Sequence, residues 1–290
     1  MTQHYFRAGP RLSCLARPRR PGAPTLVLGL VAAFTGACTL FASPHERGER
    51  YLRRGNYQAA VQAYDEAIRT GDFPAVAYAN RCYAEEALGD RKAAVRDCSK
   101  ALELIGEPDP EDAAAMGQMA EVLNNRGVAY IGLREYENAT GDFTRAVELQ
   151  ADYAAAYANR GRAYVEMENY DAALRDLEKA VELNPGLVEA YGNMAHAYTG
   201  LDNADQALES YARAIEVSGG SAEIYFDRAS LYYAIGRFGE ALADYRQVAD
   251  SADNDYLAWI AQQQVNFLKN WDAPGAAEGA PPGETEAPTP

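Results

Sequence analysis

Small side chains recur along this chain at a fixed interval, and no other feature constrains its fold as much. Ala60, Ala94, Ala139, Ala173, Ala207 and Ala241 are separated by 34, 45, 34, 34 and 34 residues. Gly48, Cys82, Gly127, Gly161, Ala195 and Ala229 keep the same rhythm, as do Ala67, Ala101, Ala146, Ala180, Ala214 and Val248. Large residues alternate with them: Tyr51, Tyr130, Tyr164, Tyr198 and Tyr232, then Tyr57, Tyr136, Tyr170 and Phe238, then Tyr64, Phe143, Leu177, Tyr211 and Tyr245. Small residues let two helix backbones approach, and aromatic rings fill the space above and below the contact. Residues 154–187 show the pattern within one interval. Tyr157, Gly161 and Tyr164 share one helical face, and Ala173, Leu177, Ala180 and Val181 share another. Glu168–Asn169 is a polar break between them. Asn184–Pro185 ends the second helix, because proline lacks an N–H and clashes with the preceding turn. One helical hairpin cannot bury its apolar stripe alone, so it must stack on neighbours of its own kind.

This order of Gly, Tyr, Ala, aromatic and Ala in a 34-residue unit resembles the tetratricopeptide repeat (TPR) family. The resemblance covers about 41–255 and implies an all-α fold, a right-handed α-solenoid of about six helix-turn-helix units. The units fall at about 41–74, 75–108, 120–153, 154–187, 188–221 and 222–255, within a solenoid spanning 47–272. The first tryptophan of the family pattern is missing in every unit. In the second unit Glu85, Arg91 and Cys98 stand where its siblings carry aromatics, so it is expected to pack least well. The first unit follows a tether, and fraying of its first helix is expected.

The 45-residue step adds an insertion at 109–119. Asp109 can cap a helix, Pro110 suits its first position, and Glu111 and Asp112 favour the positive end of the dipole. One long helix over about 110–132 is therefore expected, protruding from the solenoid edge. Its Met116 and Met119 would offer a homodimer or partner contact, and packing against the preceding unit is the alternative. Tyr256–Trp271 places Leu257, Ile260, Ala261, Val265 and Leu268 at helical spacing, which predicts a capping helix over 256–271. Residues 273–290, rich in Pro, Gly, Ala and Glu, cannot bury enough apolar area to offset chain entropy, and disorder is expected.

The leader has a different character. Residues 1–37 carry five arginines (Arg7, Arg11, Arg17, Arg19 and Arg20) and no acidic residue. An apolar run, Thr25–Ala37, ends in small residues before Cys38, the layout of a secretory signal peptide. Thr35-Gly36-Ala37-Cys38 resembles the lipobox of bacterial lipoproteins, with Thr35 where that family prefers Leu. The resemblance implies acylation of Cys38, a tether over 38–46, and a protein exported to the periplasmic side of the cell envelope. Thr39 after the cysteine favours the outer membrane. An ordinary cleaved signal or an uncleaved anchor remain the alternatives, and the long n-region leaves a later translation start open. On every reading the arginines stay in the cytoplasm and the repeats are exported. Contact with a membrane is expected through the lipid anchor alone.

Beyond the leader, 42 acidic residues face 22 basic ones, a net charge of −20. Such a surface argues against nucleic-acid binding, which depends on Lys and Arg neutralising phosphates. It suits a solvated, self-repelling surface or basic partners. In a TPR hairpin Cys82 and Cys98 face each other, so in an oxidising compartment the resemblance implies a disulfide, with two buried free thiols as the alternative.

TPR first helices line a concave groove that binds partner segments, and one polar residue per unit recurs there: Asn80, Asn125, Asn159, Asn193 and Asp227. Each Asn offers two donors and an acceptor, which suits a ligand's backbone or a bond between repeats. Tyr83, Val128, Arg162 and His196 follow one turn on, and Tyr233 a further turn on in the last unit. The groove lacks the lysines by which chaperone-binding TPR domains hold a C-terminal carboxylate. No metal-ligand spacing, nucleophile elbow or phosphate loop appears, so neither catalytic residues nor a cofactor are expected. The chain looks like the TPR adaptor lipoproteins of Gram-negative bacteria, which recruit other proteins, with assembly of pilus or outer-membrane machinery as the alternative role.

Overall fold

A computed structural model describes residues 42–251 and 254–271, in which there are thirteen α-helices and no strand. The leader, Cys38, most of the expected tether and the tail 273–290 lie outside the described residues. The helices fall into two compact units, divided between Leu183 and Asn184. Unit one holds α1 (Pro44–Arg53), α2 (Tyr57–Thr70), α3 (Pro74–Ala87), α4 (Arg91–Ile105), α5 (Ala113–Gly132), α6 (Tyr136–Leu149), α7 (Ala154–Glu166) and α8 (Tyr170–Leu183). Unit two holds α9 (Val188–Gly200), α10 (Ala204–Ser218), α11 (Ala222–Ala234), α12 (Phe238–Ser251) and α13 (Asp255–Trp271). Within each unit every helix packs on the next in sequence. In unit one the first helices α1, α3, α5 and α7 also touch in succession. The fold is an all-α solenoid of helix pairs.

The recurring small residues act as notches. A methyl group on Gly127 would lie 2.6 Å from the Phe143 ring, and one on Gly161 would lie 2.6 Å from Leu177. Gly48 holds Tyr64 in the same way, and all three large partners are fully buried. The second repeat fills the equivalent pair of positions with a disulfide. Cys82 and Cys98 are bonded across a Cα separation of 5.4 Å and pack against Val122 and Ala129 of α5.

A second device repeats beside the notch. Arg81, Arg126, Arg160 and Arg228 each grip an aspartate sixteen residues on, namely Asp97, Asp142, Asp176 and Asp244, through both carboxylate oxygens. In unit one the same guanidinium also reaches back to the preceding repeat. Arg126 donates to Ser99 Oγ and Arg160 to Thr144 Oγ1, both at 3.0 Å, while Arg81 donates to Asp65. Three helices are thereby tied by one side chain, in the bidentate geometry that makes such pairs strong. Tyr78, Tyr157 and Tyr225 lie under the guanidinium groups. In the repeat at 188–221, Met194 and Ser210 occupy both positions, so arginine and aspartate are lost together.

The turn inside each repeat needs one left-handed residue. It is glycine at 55, 89 and 236, but Arg134 (φ 62), Glu168 (φ 57) and Asp202 (φ 56) adopt the same conformation, which costs an L-residue about 1 kcal/mol.

Three boundary expectations change. The tether ends before residue 46, because Pro44 already opens α1. Ser43 and Glu46 form a reciprocal capping box there, and His45 is fully buried between Tyr64 and Phe73. A capped, anchored first helix replaces the expected frayed one. The insertion helix starts at Ala113 rather than 110, because Asp112, not Asp109, accepts hydrogen bonds from the amides of Ala114 and Ala115. Met119 does not protrude either. It is buried with Leu123 and Tyr153 against Leu102 and Ile105 of the preceding repeat.

At the other end, Ala261, Val265 and Leu268 of α13 are buried in the cluster that includes Tyr245 and Val248 of α12.

Candidate functional site

The face shared by α3, α5 and α7 carries most of the residues the repeats single out. Asn159 Nδ2 donates to Asn124 Oδ1 at 2.9 Å, a bond between successive repeats. The buried partner is Asn124, one residue before the position the repeat spacing selects. Asn125 is half-buried and its side chain makes no hydrogen bond among the described residues. Asn80 is 5% exposed. Of the one-turn-on positions, Tyr83 sets its ring edge-on to Tyr57. Val128 is not a groove contact: it is 7% exposed and packs with Ile131, Phe143 and Ala163, which seals α5 to α7.

Arg162 belongs to a charged group that spans three repeats. Burial lowers its pKa, while Glu166, Tyr136 and Glu86 act to raise it. Burial likewise pushes Glu86 above the usual carboxylate range, against the pull of Arg91 and Arg162. Arg91 lies across Gly132, where a methyl group would meet its side chain at 2.0 Å, and its Nε is buried without a hydrogen-bond partner.

Two further groups, on α5 and at the start of α7, were not singled out by the repeat pattern. Glu121 lies one turn before Asn125 on α5 and is half-buried, with no hydrogen bond or ion pair among the described residues. Burial alone pushes its carboxyl up to about 7. Tyr153 is 7% exposed, its hydroxyl is buried without a partner, and the charge of Glu121 acts on it. The only sequence signal for Glu121 was its place one helical turn before the amide position, with no basic residue from 101 to 125.

Unit two carries a different set. His196 Nε2 lies 3.9 Å from Asp227 Oδ2, and its ring meets Tyr211 edge-on. Burial raises the Asp227 carboxyl, while His196 lowers it. Asn193 is half-buried one turn before. Tyr233 is packed against Phe238 and against Phe267 of the capping helix, so much of its ring is covered. Among the described residues no group of three His, Cys, Asp or Glu is placed to hold a metal ion, and no helix is long and apolar enough to cross a membrane.

Paired helices stacked through small-residue notches, with polar side chains left on the first-helix face, define a helical-repeat binding protein. Residues 120–153, 154–187 and 186–254 match models described as tetratricopeptide repeat. The chain is a tetratricopeptide-repeat protein, a class whose fold generally serves protein interaction without catalysis. It is similar in fold to a tetratricopeptide repeat protein from Parabacteroides merdae, with a TM-score of 0.62, 20% identity, and coverage of 78% of this chain and 86% of that one. A thermophilic TPR protein from Thermus thermophilus aligns with a TM-score of 0.52 and 24% identity, covering 62% of this chain and 93% of that one. Over 104 residues, 36% of this chain, the sequence is 34% identical to Dynein axonemal assembly factor 4 of Rattus norvegicus. The chain spans 24% of the length of that relative.

Proposed function

We propose that the chain is an exported adaptor of the bacterial cell envelope, lipid-anchored through Cys38, that holds extended segments of partner proteins against the first-helix face of its repeats. The observation that carries the binding role is the pair of half-buried polar groups one turn apart on α5, Glu121 and Asn125, whose side chains make no hydrogen bond among the described residues. Half-buried amides and carboxyls of this kind complete their hydrogen bonding with the backbone of an extended segment. The location is supported by the Cys82–Cys98 disulfide, because such bonds persist in oxidising compartments. It is supported further by the arginine-rich leader that ends at Cys38.

Pull-down from envelope extract tests the binding role. The Asn125→Ala/Asn159→Ala variant is expected to lose the partners that the wild-type chain retains. Retention of the same partners by the double variant would move the site off this face. Metabolic labelling with palmitate is expected to mark the wild-type chain and not Cys38→Ser.

A further inference from the structure

We propose that the arginine face of α1 lies against the anionic phospholipid headgroups of the membrane that carries the chain, and holds the first repeat to that surface. The inference rests on the anchor proposed at Cys38. It adds a second membrane contact to the one that the leader alone implies.

The first helix has two faces. His45, Gly48 and Leu52 are buried on one. Arg47, Arg50 and the C-cap Arg54 recur at three- and four-residue spacing on the opposite one, with Arg53 beside them. The acidic residues of the helix leave part of this face uncovered. Glu46 accepts a hydrogen bond from the Ser43 amide in the capping box, and Glu49 lies 3.3 Å from the buried His45 Nε2. Arg47 pairs with Glu66, and Arg53 lies 3.6 Å from Glu49. Arg50 and Arg54 are exposed, and their guanidinium groups make neither an ion pair nor a hydrogen bond among the described residues. The capping box and the buried His45 fix α1 on its repeat, so an ordered element presents these charges.

Charge and reach together name the occupant. Residues 44–54 carry four arginines against two glutamates, whereas residues 55–290 carry 18 basic against 40 acidic residues. An acidic chain with unpaired arginines on its first helix is attracted to an anionic surface there and repelled by it elsewhere. Pro44 lies six residues after Cys38, a span of at most about 20 Å when fully extended. An anchor so close keeps the face at a high effective concentration near the lipid, so a modest attraction per arginine suffices.

Flotation of the full chain, expressed in a Gram-negative host, with vesicles of phosphatidylcholine alone or mixed in equal parts with phosphatidylglycerol tests the contact. Phenylglyoxal reacts with accessible guanidinium groups and reports on the face, with the exposed Arg175 and Arg246 as internal references. Arg50 and Arg54 are expected to react about fivefold more slowly on the anionic vesicles, the factor that one arginine near an anionic surface contributes. High salt is expected to remove the difference. Arg50→Gln/Arg54→Gln removes two side chains without partners, and circular dichroism is expected to show it folded. In that variant Arg53 is expected to react alike on both vesicles. Equal rates for Arg50 and Arg54 on a chain that floats with both vesicles would overturn the face and leave the anchor standing. Flotation with the anionic vesicles alone would overturn the anchor and sustain the face. Flotation with neither would overturn both readings.

Discussion

The second and third repeats solve one packing problem with different chemistry. At the closest approach of their two helices, the third places Gly127 against the buried ring of Phe143, and the second places Cys82 against Cys98. The ring fills volume, whereas the disulfide is shorter and bonds across it. One turn along the first helix the contrast repeats: the third repeat has Tyr130, but the second has Glu85, whose Oε2 is buried without a partner. Burial, with Asp97 nearby, pushes the Glu85 carboxyl up to about 7 against the pull of Arg81. At these two positions the second repeat therefore depends on redox state and pH, where its neighbour relies on packed rings.

The largest expected effect lies in the third repeat. Phe143→Ala leaves a void opposite Gly127 and is expected to cost about 3–5 kcal/mol, read as lost hydrogen-exchange protection across α5 and α6. Reduction of Cys82–Cys98 is expected to cost about 3 kcal/mol by the chain-entropy account, with the loss centred on α3 and α4. A sharper form of the comparison converts one solution into the other. Cys82→Gly/Cys98→Phe is expected to recover much of that loss and to be indifferent to reductant in denaturant titrations. If it remains as unstable as the reduced protein, the two solutions are not interchangeable.

The pH term is smaller. The folded Glu85 carboxyl titrates near 7 and an ordinary one near 4.5. Between those values the unfolded chain loses its proton first, so stability falls as pH rises through that window and levels off above it. Glu85→Gln is expected to stabilise the protein at pH 8 by on the order of 2 kcal/mol and to change little at pH 4. Glu121, raised in the same way, accounts for further slope in the same window. The smallest effect belongs to the turn. Glu168→Gly, which relieves a left-handed glutamate, is expected to raise stability by about 0.5–1 kcal/mol.

Much of the fold was legible because a repeat is a one-dimensional signal. Notch, ring and turn return every 34 residues, and the arginine–aspartate grip was equally readable, since Arg126 to Asp142 and Arg160 to Asp176 keep one offset. Apolar periodicity gives no weight to charged pairs, so the grip stood outside the expectations. The candidate site was less legible. Successive residues on a helix point about 100° apart, so spacing could not say that Asn124 turns inward to meet Asn159 while Asn125 does not. The same small rotation buries Val128 between α5 and α7.

The sequence by itself determined that this chain forms paired helices at a fixed interval, because a backbone can approach another closely only where side chains are small. Tertiary structure alone decided which polar groups kept partners and which were left without them. That depends on what packs above each side chain, as when the repeat junction brings Asn159 to Asn124 and leaves Asn125 without a bond, and no interval along one chain encodes it.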